Sequence, residues 1–185
     1  MEVILTKIDE ARKLLSSSIN FKNESTEKLR VQDSLDRVSS KTIKSKFNLP
    51  QTKNSAVDGF AISFKDILNN EKQRFDIIGM AKAGHPFLNK VSKNQTVEIY
   101  TGAIMPEGLD CVVMHENTKR IDDYILIKKV PKKGLNVRPA GENVKINEII
   151  ITKGKKINSP DIGQLAASGN NQIEVFKKLN VSIFS

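Results

Sequence analysis

One cysteine, Cys111, occurs in the 185 residues. A lone thiol cannot close an intramolecular disulfide, and this usage fits a reducing, cytoplasmic setting. Cys111 opens the apolar run Cys111-Val112-Val113-Met114, so it reads as a small core residue rather than a nucleophile. Histidine is almost as scarce: His85 and His115 stand far apart with no Cys or His at ligand spacing, which argues against a zinc site. No metal site is expected from these residues. No apolar run reaches membrane-spanning length. The opening MEVILTKIDEARK carries an acid at position two and no basic segment before its apolar residues, so it is not a secretion signal. Tryptophan is absent, and eight Phe and two Tyr are the only aromatics. A long basic tail is also missing. The net charge of +9 is spread over scattered lysines, with short clusters at Lys128-Lys129, Lys132-Lys133 and 153–156. That pattern favours a diffuse surface that attracts an anionic small molecule over a nucleic-acid surface.

What is present is a globular composition, 38% apolar and 28% charged, long enough for one or two domains with a real core. Ile4, Ile8, Ala11 and Leu15 share a helical stripe, with Leu14 and Ile19 beside it and Lys7, Glu10, Lys13 and Ser17 opposite. Thr6 is the expected N-cap, with Asp9 three residues on. The helix should bury one side, either in its own subunit or against a second copy. A strand is predicted over Glu27–Val31, a helical turn over Gln32–Val38, and weak alternation over Ser39–Phe47 that ends at Pro50. Short apolar runs follow at Phe60–Phe64, Phe75–Ile78, Thr96–Tyr100, Cys111–His115 and Tyr124–Val130. Turns rich in Gly and Pro separate them, as in Ala83-Gly84-His85-Pro86 and Pro106-Glu107-Gly108. Together they predict a compact β domain. Beyond them come a strand around Ile149–Ile151, a helix with Ser159 as N-cap, Pro160 at N1 and Gly169 at C′, and strands at Gln172–Phe176 and Asn180–Phe184.

Three loops join glycine to a polar or charged residue: Asp58-Gly59, Thr101-Gly102, and Arg138 through Gly141-Glu142. Glycine lets a ligand approach the backbone, a Thr hydroxyl or an Arg fork can bind phosphate, and an Asp can hold a cation or orient water. Each loop taken singly reads as an ordinary turn in preference to a ligand site, and Asp-Gly is the commonest of these turns. Spacing alone does not bring them together.

The segment NSAVDGFAI, residues 54–62, resembles the "NSAMDGYAV" segment of MoeA-type molybdopterin molybdenumtransferases, the family that includes the gephyrin E domain. Residues 99–114, IYTGAIMPEGLDCVVM, are similar to "IMTGAPVPEGADAVVM", and residues 137–143, VRPAGEN, to "VRPAGED". The three blocks keep their order and spacing over nearly the whole chain. The resemblance implies an α+β fold in parts: a discontinuous domain from residues 1–47 plus 144–178, associated with dimerisation, and an inserted β-rich domain over 48–143. Residues 179–185 would be the first strand of an α/β molybdopterin-binding domain that the chain does not continue. An apolar strand ending there is a lone edge, as a fragment would have.

Family enzymes insert molybdenum from molybdate into adenylylated molybdopterin, with Mg²⁺, releasing AMP. Carried across, Asp58 and Thr101 are the expected catalytic residues, and Gly59, Gly102, Arg138 and Glu142 the expected substrate-binding ones. The main site for Mg²⁺ and molybdate is expected in the absent domain. The resemblance also implies a homodimer whose cleft is completed by the other subunit. The alternative is a non-catalytic dimerisation or scaffold module. Val57, Phe60, Tyr100 and Asn143 depart from the family segments; Phe60 lacks a hydroxyl and Asn143 a charge.

Overall fold

A computed structural model describes residues 6–18, 25–180 and 183. Ile4, Ile19 and most of the strand expected at Asn180–Phe184 lie outside the described residues. In chain order the elements are α1 Ile8–Ser18, β1 Thr26–Arg30, a 3₁₀ turn Val31–Asp33, β2 Ile43–Lys44, β3 Asn54–Ser55, β4 Gly59–Ile62 and α2 Phe64–Leu68. There follow β5 Arg74–Ala81, β6 Gln95–Ile99, β7 Cys111–Met114, a 3₁₀ turn His115–Asn117, β8 Thr118–Ile121, β9 Tyr124–Ile127 and β10 Val137–Arg138. The chain then forms β11 Ile149–Ile151, α3 Ser159–Ala167 and β12 Gln172–Phe176. This is an α+β fold.

Apolar side chains from both ends of the chain make the first core. Val31, Val144, Ile151, Ile157, Leu165 and Val175 pack together, beneath the antiparallel pairs β1–β12 and β2–β11. The middle of the chain forms a six-stranded sheet in the order β7-β4-β6-β5-β9-β8. Alternation along β4 sends Phe60 and Ile62 to one face with Phe75, Cys111 and Val113, and Ala61 to the other with Val97, Ile99 and Val112. The two chain links between the cores run side by side, joined by hydrogen bonds between Leu49 and Val144. Burial pushes the Cys111 thiol up to about 11, which leaves it protonated and inert, as a core residue should be.

Several local expectations need correction. The run from Phe60 is a strand only to Ile62; Ser63 then caps α2 by accepting from Asp66 N, and Phe64 N donates to Asp110 Oδ1 at 2.7 Å. β8 was not foreseen, because its sequence TKRI is that of a polar edge strand with no apolar run. Asn158, not Ser159, is the N-cap of α3. Its side chain accepts from Asp161 N while Asp161 reaches back to Asn158 N, so Pro160 falls one place later than expected. Gly169 sits past the helix end at φ +82°, the left-handed conformation expected at C′. At α1 the Lys7 carbonyl accepts from Ala11 N, placing Lys7 rather than Thr6 at the cap. This helix buries none of its residues, and Ile8, Leu14 and Leu15 are all more than half exposed. Its apolar stripe therefore finds no cover among the described residues.

Strand β4 is buried at every position between β6 and β7. Gly59 makes this possible: a Cβ there would stand 2.1 Å from the Val113 carbonyl oxygen. By contrast, a Cβ on Gly163, in the exposed face of α3, meets nothing within 4 Å. Gly59→Ala is expected to lower the unfolding free energy by about 1–3 kcal/mol or more, as overpacking does. Gly163→Ala is expected to raise it by up to about 1 kcal/mol through helix propensity. Urea unfolding of both variants, at unchanged m-value, checks the pair.

Candidate functional site

The three glycine loops converge on β3. Ser55 N donates to Ala103 O and Gly102 N donates to Ser55 O, both at 2.9 Å. On the other edge β3 pairs with β10, Val137 opposite Ser55 and Arg138 opposite Asn54. Gly102 has φ +81°, which turns the chain directly after Thr101 and aims its N–H back at Ser55. The extended hydrogen bonding of two residues, Asn54 and Ser55, thus brings residues far apart in sequence to one place.

Asp58 follows β3 and precedes β4, where the sheet ends. Its Oδ1 accepts from Thr101 N at 2.7 Å and from Thr101 Oγ1 at 2.8 Å. Both bonds fall on one oxygen, and among the described residues Oδ2 takes no hydrogen bond. Both residues are exposed. The Thr101 N–H first and then its hydroxyl hold the Asp58 carboxyl below its usual range; desolvation opposes them, and the nearby His115 adds the smallest lowering effect. Since the Thr101 hydroxyl proton is spent on Asp58, the hydroxyl meets a further ligand as an acceptor. The pair therefore presents a fixed, ionised carboxylate at the open end of a rigid sheet.

The other expected site residues are placed differently. Gly59 does not serve a left-handed turn, since it is not among the positive-φ residues; its role is the close approach to Val113. Arg138 donates from Nε to Glu142 Oε2 at 2.6 Å and from Nη2 to Asn143 Oδ1 at 3.1 Å. Its fork is thus engaged within its own loop. The structure brings Arg138 and Glu142 to each other, and among the described residues neither forms a hydrogen bond or ion pair with Asp58 or Thr101. His115, considered in the sequence only as a metal ligand, lies beside Asp58 instead. No sequence signal marked it; it follows one residue after Met114, which pairs with Gly59.

Mg²⁺ takes about six oxygen ligands in octahedral geometry. Among the described residues no three His, Cys, Asp or Glu side chains group closely enough to hold a metal, and Asp58 offers one unengaged oxygen. The residues present do not by themselves make a Mg²⁺ site.

Fold and edge define an α+β module in which an inserted sheet displays a carboxylate–hydroxyl pair at its end. The chain belongs to the family described as the MoeA N-terminal region (domain I and II), which matches residues 6–169. It is 31% identical over 179 residues to the molybdopterin molybdenumtransferase of Haemophilus influenzae, covering 96% of this chain and 44% of that one. It is 29% identical over 197 residues to gephyrin of Dictyostelium discoideum, covering 98% and 27%. The crystal structure of a molybdopterin biosynthesis MoeA protein from Pyrococcus horikoshii superposes with a TM-score of 0.82 at 26% identity, covering 94% of this chain and 45% of that one. The chain thus spans less than half the length of these relatives. The homologues' names support a role in molybdenum cofactor biosynthesis.

Because the folded carboxyl of Asp58 titrates below its unfolded value, its contribution to stability is present above the unfolded pKa. That contribution is lost as the pH falls through the folded pKa. Thr101→Val removes the hydroxyl donor and keeps the N–H, so the Asp58 midpoint should rise yet stay below the ordinary carboxylate value. Carbon-detected NMR of the Asp58 carboxyl across the acid range measures both values.

Proposed function

We infer that the chain supplies one half of the cleft of a molybdenum insertase, which transfers molybdenum from molybdate into adenylylated molybdopterin and releases AMP. The observation that carries this reading is the Asp58–Thr101 pair, with one carboxylate oxygen saturated by Thr101 and the other open at an exposed edge. A ligand edge needs such a preorganised charge, whereas a simple turn does not need the acid to be ionised. In this reading Asp58 orients water near the adenylyl phosphates, and Thr101 fixes Asp58 while accepting from the ligand. Gly59 and Gly102 keep the edge narrow enough for approach, and Arg138 with Glu142 shapes the neighbouring loop. Mg²⁺ and molybdate would be held by groups outside these residues.

The reading divides the chain into a discontinuous domain over 1–47 and 144–178 and an inserted domain over 48–143. The separate cores support that division. It also makes the working form a cytoplasmic homodimer; among the described residues no helix is long and apolar enough to cross a membrane. The uncovered stripe of α1 favours association, and would do so equally for a scaffold module without activity.

Two measurements test this. Residues 6–169 would replace the matching region of the Haemophilus influenzae enzyme, and the folded hybrid would be assayed for insertion of molybdenum from molybdate into adenylylated molybdopterin. Turnover is expected, and a folded but inactive hybrid would leave the scaffold reading. For the chain alone, sedimentation should show a dimer at tens of micromolar, about the range in which a modest interface fills. A monomer there would contradict the assembly.

A further inference from the structure

The face of the sheet that carries Phe60 continues past the end of β4 into a polar cluster. Phe60 pairs with Glu98 on one side and Val113 on the other, and Gly59 with Ile99 and Met114. Continuing that register by one position brings Tyr100 and His115 alongside Asp58. Alternation puts Asp58, Phe60, Glu98, Tyr100, Val113 and His115 on one face. The ring contacts agree: the His115 imidazole stands edge-on to Phe60 at 5.0 Å and to Tyr100 at 6.3 Å between centroids.

Glu98 anchors this cluster from behind. Its carboxylate is only 11% exposed, and it meets Arg120 Nη1 at 3.1 Å and His115 Nε2 at 3.4 Å. Tyr100 donates its hydroxyl to Glu98 at 3.3 Å. The 3.4 Å contact is an ion-pair distance without hydrogen-bond alignment, and Nε2 is otherwise buried with no partner. Nε2 thus faces the buried Glu98 carboxylate directly, with the ring held between Phe60 and Tyr100. The charged and titratable groups around the ring are Glu98 and Tyr100 from β6 and its end, Arg120 from β8, and Asp58 before β4. Lys82 lies beyond, 5.5 Å over the Tyr100 ring. Arg120 and His115 both face Glu98, and His115 also acts on Asp58 at the open edge.

We propose that His115 is a positioning residue of this edge, held by Glu98 and by the Phe60 and Tyr100 rings so that its charge acts on the Asp58 carboxylate. The consequence is a site whose net charge depends on the imidazole. With His115 neutral the edge presents a bare negative charge; with His115 protonated it presents a balanced pair that an anionic phosphate ligand can approach. The inference rests on Asp58 being the ligand edge.

The test needs no turnover. Imidazoles ordinarily carry a proton at the pH where carboxylates titrate, so the coupling is active while Asp58 titrates. The Asp58 carboxyl would be titrated by NMR in the full chain, in His115→Phe, which keeps a ring between Phe60 and Tyr100, and in His115→Gln. Each would be measured at about 10 mM and about 1 M salt, between which the screening length falls from about 30 Å to about 3 Å. Both variants should raise the Asp58 midpoint at low salt, and all three curves should converge at high salt. Should His115→Phe lose its dispersed amide spectrum, His115→Gln decides alone. An unchanged midpoint at low salt would overturn the proposal. So would a rise that persists at high salt, because that reports lost packing rather than lost charge. An inactive hybrid enzyme would remove the molybdenum reading and leave this titration standing.

Discussion

The carbonyl oxygen of Val113 fills the space where a side chain at position 59 would stand. Strand β4 can therefore lie between β6 and β7 only with glycine at its first residue. That close approach fixes the end of the sheet, and the end of the sheet fixes Asp58. One residue before Gly59, the carboxylate falls where the loop after β6 turns back, so Thr101 reaches it with both N–H and hydroxyl. A side chain at position 59 would push β4 from Val113 and pull the acid from its donors. Sheet packing and site geometry are thus one constraint, and the same glycine serves both.

The edge is also an electrostatic arrangement. A chain with a net charge of +9 attracts anions from a distance, but the group it displays at this edge is a carboxylate. Backbone and hydroxyl donation keeps that carboxylate ionised without burying it, so the charge remains available to a ligand. Glu98, one pair inward, is the opposite case: it is buried and needs Arg120 and His115 as compensation. Two acids on neighbouring strands thus have different tasks. One holds the cluster together and the other faces outward.

Most of the β domain was legible in the sequence, because short apolar runs bounded by Gly and Pro turns mark β4, β5, β6, β7 and β9. The end of α3 was legible for a local reason, the left-handed Gly169. Failures arose where the deciding contact was distant or the pattern polar. α2 depends on Ser63 and on Asp110 from another loop, and β8 has no apolar periodicity to detect. Helix α1 shows a clear stripe, yet amphipathicity does not name its partner, and none lies within the described chain. For the site, Asp58 and Thr101 stood out through family resemblance. Their hydrogen bonds could not be read from spacing, because Ser55 joins the loops through backbone groups that any residue carries. Arg138 was read as a phosphate fork, but its neighbours Glu142 and Asn143 engage it first. His115 was passed over because a lone histidine carries no motif; only the register of β4 against β7 places it.

The central claim is that Asp58 is displayed as a charge and not merely used as a turn residue. Asp58→Asn separates the two, since the Asn carbonyl oxygen accepts from Thr101 as the acid does while the charge is lost. The measurement is turnover and unfolding free energy of this variant in the hybrid enzyme carrying residues 6–169. The account predicts turnover lower by roughly a hundredfold, the scale of losing a preorganised electrostatic group, with stability changed by no more than about 0.5 kcal/mol, as at a surface site. Unchanged turnover in the folded variant would contradict it and return Asp58 to the role of a turn.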